Sequence, residues 1–266
     1  MKRLLITGAA GGLGRTMRHR LAHMAEIIRL SDIAEIDAPG PNEEVMRCDL
    51  ADADAVMRLV EGCDGIVHFG GVSLESPFQT ILNGNIVGTY NLYEAARAHG
   101  CPRILFASSN HVVGFYPQDR HLTATDPMKP DSLYAVSKCF GEALASLYHD
   151  KFGQETAIVR IGSCFEKPTN RRMLATWFAA DDFAALIERI FAVPRLGLPI
   201  IWGVSENAQM WWNNDAIGWL GWQPKDSSDR FRDAVEATPM PAPDDPTVRW
   251  QGGGFCAEPI YKDKTE

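Results

Sequence analysis

The sequence lacks several features that mark whole classes of protein. It has no uncharged apolar run near the roughly 18–20 residues that a membrane-spanning helix needs. Its N-terminal apolar segment stops at glycines, too early for a secretion signal. Basic residues are outnumbered, with 26 Lys and Arg against 34 Asp and Glu. We therefore expect neither a membrane nor a nucleic-acid partner, since both favour a basic face.

Cysteine and histidine patterns that bind metals are also missing. The six cysteines are scattered, with no C-x-x-C pair, so we expect reduced thiols and a cytoplasmic protein. His19 and His23 are four residues apart, but no H-E-x-x-H pattern supplies an acidic residue. We expect both to be surface residues and expect no metal site.

What the chain does have is a regular alternation of short apolar runs with helical patterns. This alternation predicts an α/β protein, a Rossmann-type doubly wound parallel sheet. The predicted strands are 4–7, 26–30, 45–48, 65–69, 103–107 and 156–161, and the predicted helices are about 13–24, 53–61, 81–99 and 133–152.

The pattern loosens after Gly162, where we predict a helix at 181–191, a candidate strand at 200–202 and a short helix at 215–220. Residues 238–246 hold four prolines and are expected to be extended. We expect residues 1–165 to form the core and residues 166–266 a small C-terminal substrate cap, packed together as one integrated domain.

A glycine turn follows the first strand. The run TGAAGGLG places Gly8, Gly11 and Gly14 before a helix, where backbone N–H groups and the helix N-terminus bind a dinucleotide pyrophosphate. A glycine turn alone also forms for packing, but Asp32 ends the second strand 18 residues after Gly14. A carboxylate there binds both ribose hydroxyls and repels a 2′-phosphate, which predicts NAD. The alternative is a turn-capping Asp.

Tyr134 and Lys138 lie at i and i+4 in YAVSK, hence on one helix face. We expect the ammonium to lower the pKa of Tyr134 from about 10 and make it a base near neutral pH. Ser109 ends the fifth strand, where doubly wound folds bind ligands. The alternative is an amphipathic helix with a surface Lys. A hydrolase using Ser109 and His111 is disfavoured because no G-x-S-x-G elbow is present.

These motifs together resemble the extended, epimerase-like branch of the short-chain dehydrogenase/reductase superfamily. The matching segments are TGAAGGLG, CDL at 48–50, HFGG at 68–71, NIVGTYNLYEAA at 85–96, SSNHVVG at 108–114 and YAVSK at 134–138. The resemblance implies Tyr134 as acid/base, Lys138 as its electrostatic partner and ribose ligand, and Ser109 as the hydrogen-bonding serine. Cofactor contacts are expected at Gly8, Gly11, Gly12, Leu13, Gly14, Asp32, Asp49, Leu50, Gly70, Gly71, Asn85, Tyr134, Lys138 and Ile161.

The whole chain is similar to the bacterial uronate dehydrogenases, in FASSNHVVGFYPQ, LYAVSKCFGE, RIGSC, RRMLATWF and RWQGGGF. That family oxidises D-galacturonate and D-glucuronate with NAD at the anomeric carbon to an aldarolactone, which opens to the aldarate. The resemblance implies that Arg172 binds the substrate carboxylate, with Arg171 as competitor. The other implied substrate contacts are Ser73, Ser109, Asn110, His111, Tyr134 and Ser163.

Alternatives remain at this point. A nucleotide-sugar epimerase or dehydratase is disfavoured because its R-x-x-N-V-Y-G-P pattern is replaced by RIGSCFEKPTNRRML, and a non-catalytic NAD sensor has no need of Tyr134 and Lys138. The hydroxyls of Ser73 and Ser163 could instead form turns, and Asn110 a local backbone bond. Tryptophans 211, 212, 219 and 222 are expected to pack the cap or a subunit interface rather than stack on sugar. We expect a homo-oligomer.

Overall fold

The computed structural model describes residues 1–261. Its centre is one sheet of seven parallel strands in the order β3-β2-β1-β4-β5-β6-β7. The strands are β1 (Arg3–Thr7), β2 (Ile27–Ser31), β3 (Glu43–Val45), β4 (Gly65–His68), β5 (Arg103–Ser109), β6 (Thr156–Ile161) and β7 (Ile200–Gly203). The strand order reverses between β1 and β4, which is where such sheets bind ligands. The predicted doubly wound parallel sheet is confirmed.

Helices cover both faces of the sheet. They are α1 (Gly12–Arg20), α2 (Ala53–Val60), α3 (Phe78–Ile81), α4 (Gly88–Ala98), α5 (Leu133–Phe152), α6 (Arg171–Thr176), α7 (Ala180–Ala192), α8 (Arg232–Glu236) and α9 (Pro246–Arg249). Short 3₁₀ turns cover Ala22–Met24, Asn110–Val113, Asp215–Leu220, Ser228–Phe231 and Gly253–Ala257.

The central strands read as continuous apolar runs because both of their faces are buried. Alternate residues of β1 enter different cores: Leu4 joins Met17 and Leu186 on the face of α1 and α7, whereas Leu5 joins the face of α2, α4 and α5. Tyr148 of α5 packs in that second core. The two cores therefore cover opposite faces of the sheet.

Several boundaries differ from the prediction, most of them by a few residues, and the larger differences concern β3, the helix after β4 and the C-terminal limit of the sheet. Strand β3 ends at Val45, although Cys48 N still donates to Asp32 O at 3.2 Å, so the predicted strand at 45–48 lies alongside β2 with less regular pairing. The predicted helix at 81–99 is broken by a π-turn at Leu82–Val87. The sheet also extends past residue 165, because β7 pairs with β6.

Irregular segments follow β7 in the region where the C-terminal cap was predicted. Trp202 stacks on Trp212 with ring centroids 4.9 Å apart, and Trp212 Nε1 donates to Gln251 Oε1 at 2.9 Å. Trp211 and Trp222 are also buried, whereas Trp219 is 53% exposed. Three of the four cap tryptophans therefore pack the cap itself.

Among residues 1–261, no helix is both long and apolar enough to cross a membrane.

Candidate active site

A cleft of about 1580 Å³ runs along the carboxyl ends of the strands. It begins at the glycine turn and Asp32 and ends between Arg172 and Phe255 of the C-terminal segment. Every site residue predicted from the sequence lines this cleft except Asn85. The fold therefore brings together residues spread over most of the chain.

The glycine turn forms a cradle with room for a phosphate and none for side chains. A Cβ on Gly14 would lie 2.1 Å from the carbonyl oxygen of Gly8, which has φ +69°. Helix α1 begins after Gly11, and no side chain within residues 1–261 caps it. Its first N–H groups and its dipole are therefore available to an anion, and the turn fits a dinucleotide pyrophosphate.

Asp32 ends β2 beside this cradle. Its two carboxylate oxygens each accept a backbone N–H, from Ala10 and Ala34, both at 3.0 Å. These bonds fix the carboxylate at the cleft wall with further lone pairs free for ribose hydroxyls. Asp49 and Leu50 line the same end of the cleft. The arrangement fits the adenosine half of a dinucleotide.

Helix α5 carries Tyr134 and Lys138 into the middle of the cleft. Ser132 caps its start by accepting from Ala135 N at 3.0 Å, and Gly153 ends it in the left-handed region. Its register is fixed further along by a buried ion pair, in which Arg160 Nη2 donates to Glu142 Oε2 at 2.8 Å. Glu142 is one turn beyond Lys138, so this pair fixes the helix face that carries Tyr134 and Lys138.

The burial of Tyr134 and Lys138 was not predicted from the sequence. Burial raises the pKa of Tyr134 to about 12, opposed by a side-chain hydrogen bond with Ser109. The predicted lowering of that pKa by Lys138 is therefore wrong for the protein alone. The Lys138 ammonium lies 5.6 Å from the Tyr134 ring centroid, and burial lowers its own pKa to about 8. Desolvation is thus the largest cause of both shifts.

Arg172 lies across the cleft from α5 with its guanidinium held by neutral groups. Nε donates to Gln251 O at 2.5 Å, Nη1 to Ser163 Oγ at 3.4 Å and Nη2 to Asn110 Oδ1 at 2.6 Å. Within the described residues no carboxylate forms a salt bridge with it, and burial lowers its pKa to about 10. The Asp131 carboxylate acts on that pKa in the opposite direction from a distance. A largely desolvated cation without a salt-bridged carboxylate is a ready site for a ligand carboxylate.

Arg171 points away from the cleft. Its Nη2 donates to the backbone carbonyls of Glu236 at 2.7 Å and Thr238 at 3.2 Å, which ties α6 to the end of α8. Of the two arginines, Arg172 lines the cleft and Arg171 does not.

Asn85 lies behind the cleft wall. Its Oδ1 accepts from Val72 N at 2.6 Å, and its Nδ2 donates to Ser137 Oγ at 2.8 Å. Ser137 Oγ in turn donates to Tyr134 O at 2.6 Å. Asn85 therefore ties the loop after β4 to helix α5, and its predicted contact with a cofactor stays a prediction.

Two residues near Tyr134 were not predicted from the sequence. Glu75 Oε2 accepts from Tyr134 N at 2.9 Å and so holds the loop that carries Ser73 against α5. Phe255 stacks on His111 with centroids 3.9 Å apart and faces the Tyr134 ring at 6.2 Å. Glu75 belongs to no quoted motif, and Phe255 ends the RWQGGGF run; both meet Tyr134 through contacts between distant segments, and of the two only Phe255 lines the cleft.

The remaining predicted residues, Ser73, His19 and His23, are exposed. Ser73 lies on the cleft wall. His23 Nε2 lies 3.0 Å from Glu188 Oε1. In the described part of the chain, no cluster of three or more His, Cys, Asp or Glu could hold a metal. All six cysteines are free thiols.

Comparison with known proteins agrees with this geometry. Residues 4–180 match the NAD dependent epimerase/dehydratase family. The chain is 62% identical to a uronate dehydrogenase of Agrobacterium fabrum, covering 98% of this chain and 99% of that protein. It is 54% identical to one of Pseudomonas syringae pv. tomato, covering 98% and 96%. A crystal structure of a tyrosine-to-alanine variant of the Agrobacterium tumefaciens enzyme complexed with NAD superposes with a TM-score of 0.97, at 61% identity and 99% and 100% coverage.

Proposed function

The chain belongs to the NAD dependent epimerase/dehydratase family and, within it, to the uronate dehydrogenases, and we propose that it oxidises D-galacturonate and D-glucuronate at the anomeric carbon. NAD is its cofactor. The product is the aldarolactone, which opens to the aldarate. The observation that carries the proposal is Arg172, a half-buried guanidinium that forms no salt bridge with a carboxylate among residues 1–261, in the same cleft as Tyr134.

In the proposed mechanism the substrate carboxylate binds Arg172, whose fork-shaped guanidinium suits a bidentate contact. Asn110 and Ser163 already hold this guanidinium in place, and Ser73 and His111 line the space for the sugar hydroxyls. The anomeric hydroxyl then lies between Ser109 and Tyr134. A substrate anchored at both ends has little translational and rotational entropy left to lose before reaction.

Tyr134 removes the proton of the anomeric hydroxyl, while the C1–H bond breaks with its electron pair. NAD, when bound, accepts that hydride and brings a positive charge into the pocket. The phenol needs such help, because burial alone holds its pKa at about 12. Lys138 is the residue placed to hold the nicotinamide ribose, and its ammonium adds positive charge below its pKa of about 8. Asp32 favours NAD over NADP through its carboxylate.

A nucleotide-sugar epimerase would return the hydride to its substrate and show no net redox change. The two functions separate in one assay, which follows absorbance of NADH across uronates, neutral hexoses and nucleotide-sugars. We expect NADH with galacturonate and glucuronate, and far less with neutral hexoses. Equal activity on neutral hexoses would remove the role of Arg172, and no NADH from any free uronate would refute the proposed function.

We also propose that the protein acts in the cytoplasm as a homo-oligomer. Six free thiols support a reducing compartment. Exposed Trp219, together with Val136 and Leu147 on α5, supports a subunit interface. Light scattering on the purified chain tests the oligomeric state, and a monomer at all concentrations would contradict it.

A further inference from the structure

The imidazole of His111 is held on one side by a carboxylate that the proposed reaction has not used. His111 Nδ1 lies 2.7 Å from Asp131 Oδ2. The Asp131 side chain is fully buried, with 0% exposed, whereas 13% of the His111 side chain remains accessible. The accessible edge of the ring is therefore the one that carries Nε2, and His111 lines the cleft.

The position of the Asp131 carboxylate is fixed by its own neighbours. Its Oδ1 accepts from Ser132 Oγ at 2.9 Å. The backbones of Gly114 and Gly252 close over the carboxylate, since a Cβ on either glycine would lie 1.9 or 2.0 Å from Oδ2. Gly252 N donates to Gly114 O at 2.9 Å, so the C-terminal segment forms this cover.

The ring itself has little freedom to turn. Phe255 stacks on one face at 3.9 Å, and Tyr134 meets the ring at an angle of 69° with centroids 6.1 Å apart. Burial lowers the pKa of His111, and the nearby Arg172 guanidinium acts in the same direction; together they outweigh the hydrogen bond and the charge of Asp131, which raise it. A neutral imidazole has one N–H, and an ionised carboxylate only accepts hydrogen bonds.

We propose that Asp131 is a positioning residue that fixes His111 as the Nδ1–H tautomer, so that Nε2 accepts a hydrogen bond from a hydroxyl of the substrate. This inference rests on the proposed function for the identity of that substrate. Within the described residues the His111 ring makes no hydrogen bond besides the one to Asp131. The cleft then offers a sugar acid two opposite contacts: donors at Arg172 for the carboxylate, and an acceptor at His111 for one hydroxyl.

A carboxylate that selects the tautomer of a histidine acts without touching the substrate. With the other tautomer, Nε2–H would face the hydroxyl and could not accept its proton. The hydroxyl would lose its acceptor in a buried site, which costs about 10- to 100-fold in kcat/KM. Asp131 and His111 thus make substrate recognition depend on a hydroxyl donor at one position of the sugar ring.

The direct test is NMR of the unmodified protein labelled with ¹⁵N-histidine, with the His111 signals assigned by their loss in His111→Gln. We expect Nδ1 to be protonated and Nε2 unprotonated near neutral pH. A protonated Nε2, in either the other tautomer or the imidazolium, overturns the proposal. This measurement needs no substrate, so its failure is distinct from failure of the proposed function.

A kinetic test uses Asp131→Asn with a panel of deoxy-uronates. We expect kcat/KM for uronate to fall about 10- to 100-fold, with the KM for NAD unchanged. For the one deoxy-uronate that lacks the accepted hydroxyl, wild type and variant should become equal. A full loss with every deoxy-uronate would indicate a merely structural role and overturn the proposal. The matched control is Glu188→Gln, the same change beside the exposed His23, which should leave kcat/KM unaltered.

Discussion

Arg172 donates from Nε to the backbone carbonyl of Gln251, 2.5 Å away and 79 residues later in the chain. The bond fixes the guanidinium by its middle nitrogen and joins α6 to the C-terminal segment, which also supplies Phe255. The charge that we propose for substrate recognition is therefore placed by a neutral backbone group. Its positive charge stays uncompensated by this bond and available to a ligand anion.

Arg172→Lys keeps the positive charge but loses the fork of N–H donors. We expect kcat/KM for galacturonate to fall about 10- to 100-fold, because a lysine cannot replace a bidentate contact and the bonds to Gln251 and Asn110 together. Steady-state kinetics with galacturonate measure this loss. Arg171→Lys is the matched control and should leave the KM for uronate unchanged. Equal losses in the two variants would contradict the assignment.

Tyr134→Phe removes the hydroxyl and keeps the ring that packs against His111 and Phe255. We expect kcat to fall roughly 10²- to 10⁴-fold, the usual range for a general base, with little change in affinity for NAD. Rapid-mixing kinetics and calorimetry check the two parts. Tyr93→Phe is the control, since this buried tyrosine bonds Thr156 outside the cleft. Near-normal turnover in a folded Tyr134→Phe protein would remove its role as the base.

Asp32→Ala removes the carboxylate placed for the ribose hydroxyls. We expect kcat/KM with NAD to fall about 10- to 100-fold, while activity with NADP rises because the repulsion of a 2′-phosphate is gone. The ratio of the two activities is the measurement. Asp37→Ala, an exposed carboxylate on the following loop, is the control. An unchanged ratio would mean that Asp32 only caps the turn.

Lys138→Met tests the burial of the ammonium through stability. Burial lowers the pKa of Lys138 from 10.5 to about 8, so between these pH values the unfolded chain binds a proton that the folded protein does not. Stability therefore rises with pH across this window, and below pH 8 the buried charge costs roughly 3 kcal/mol. The variant should be more stable than wild type at pH 7.

The gain in Lys138→Met should fade as the pH approaches 10.5. Denaturant unfolding at a series of pH values measures it, with exposed Lys225→Met as the control. A gain that is the same at pH 7 and pH 10 would point to packing and not to charge.

The cofactor half of the site was readable from the sequence, because Gly8, Gly14 and Asp32 are local to one β-α-β unit whose geometry is fixed by the fold. Tyr134 and Lys138 were readable from their helical spacing. The roles of Asp131, Glu75 and Phe255 were not, since each depends on contacts with residues that are distant in the sequence. The direction of the pKa shift at Tyr134 was also missed, because spacing shows a charge four residues away but not the loss of solvent around the phenol.

The central claim is that hydride leaves the anomeric carbon of a uronate for NAD. Galacturonate carrying deuterium at C1 tests it most directly, with the reduced cofactor and the sugar product analysed by mass spectrometry. The account predicts one deuterium in the reduced cofactor and none in the aldarate. Deuterium retained in the sugar, with no labelled reduced cofactor released, would contradict it.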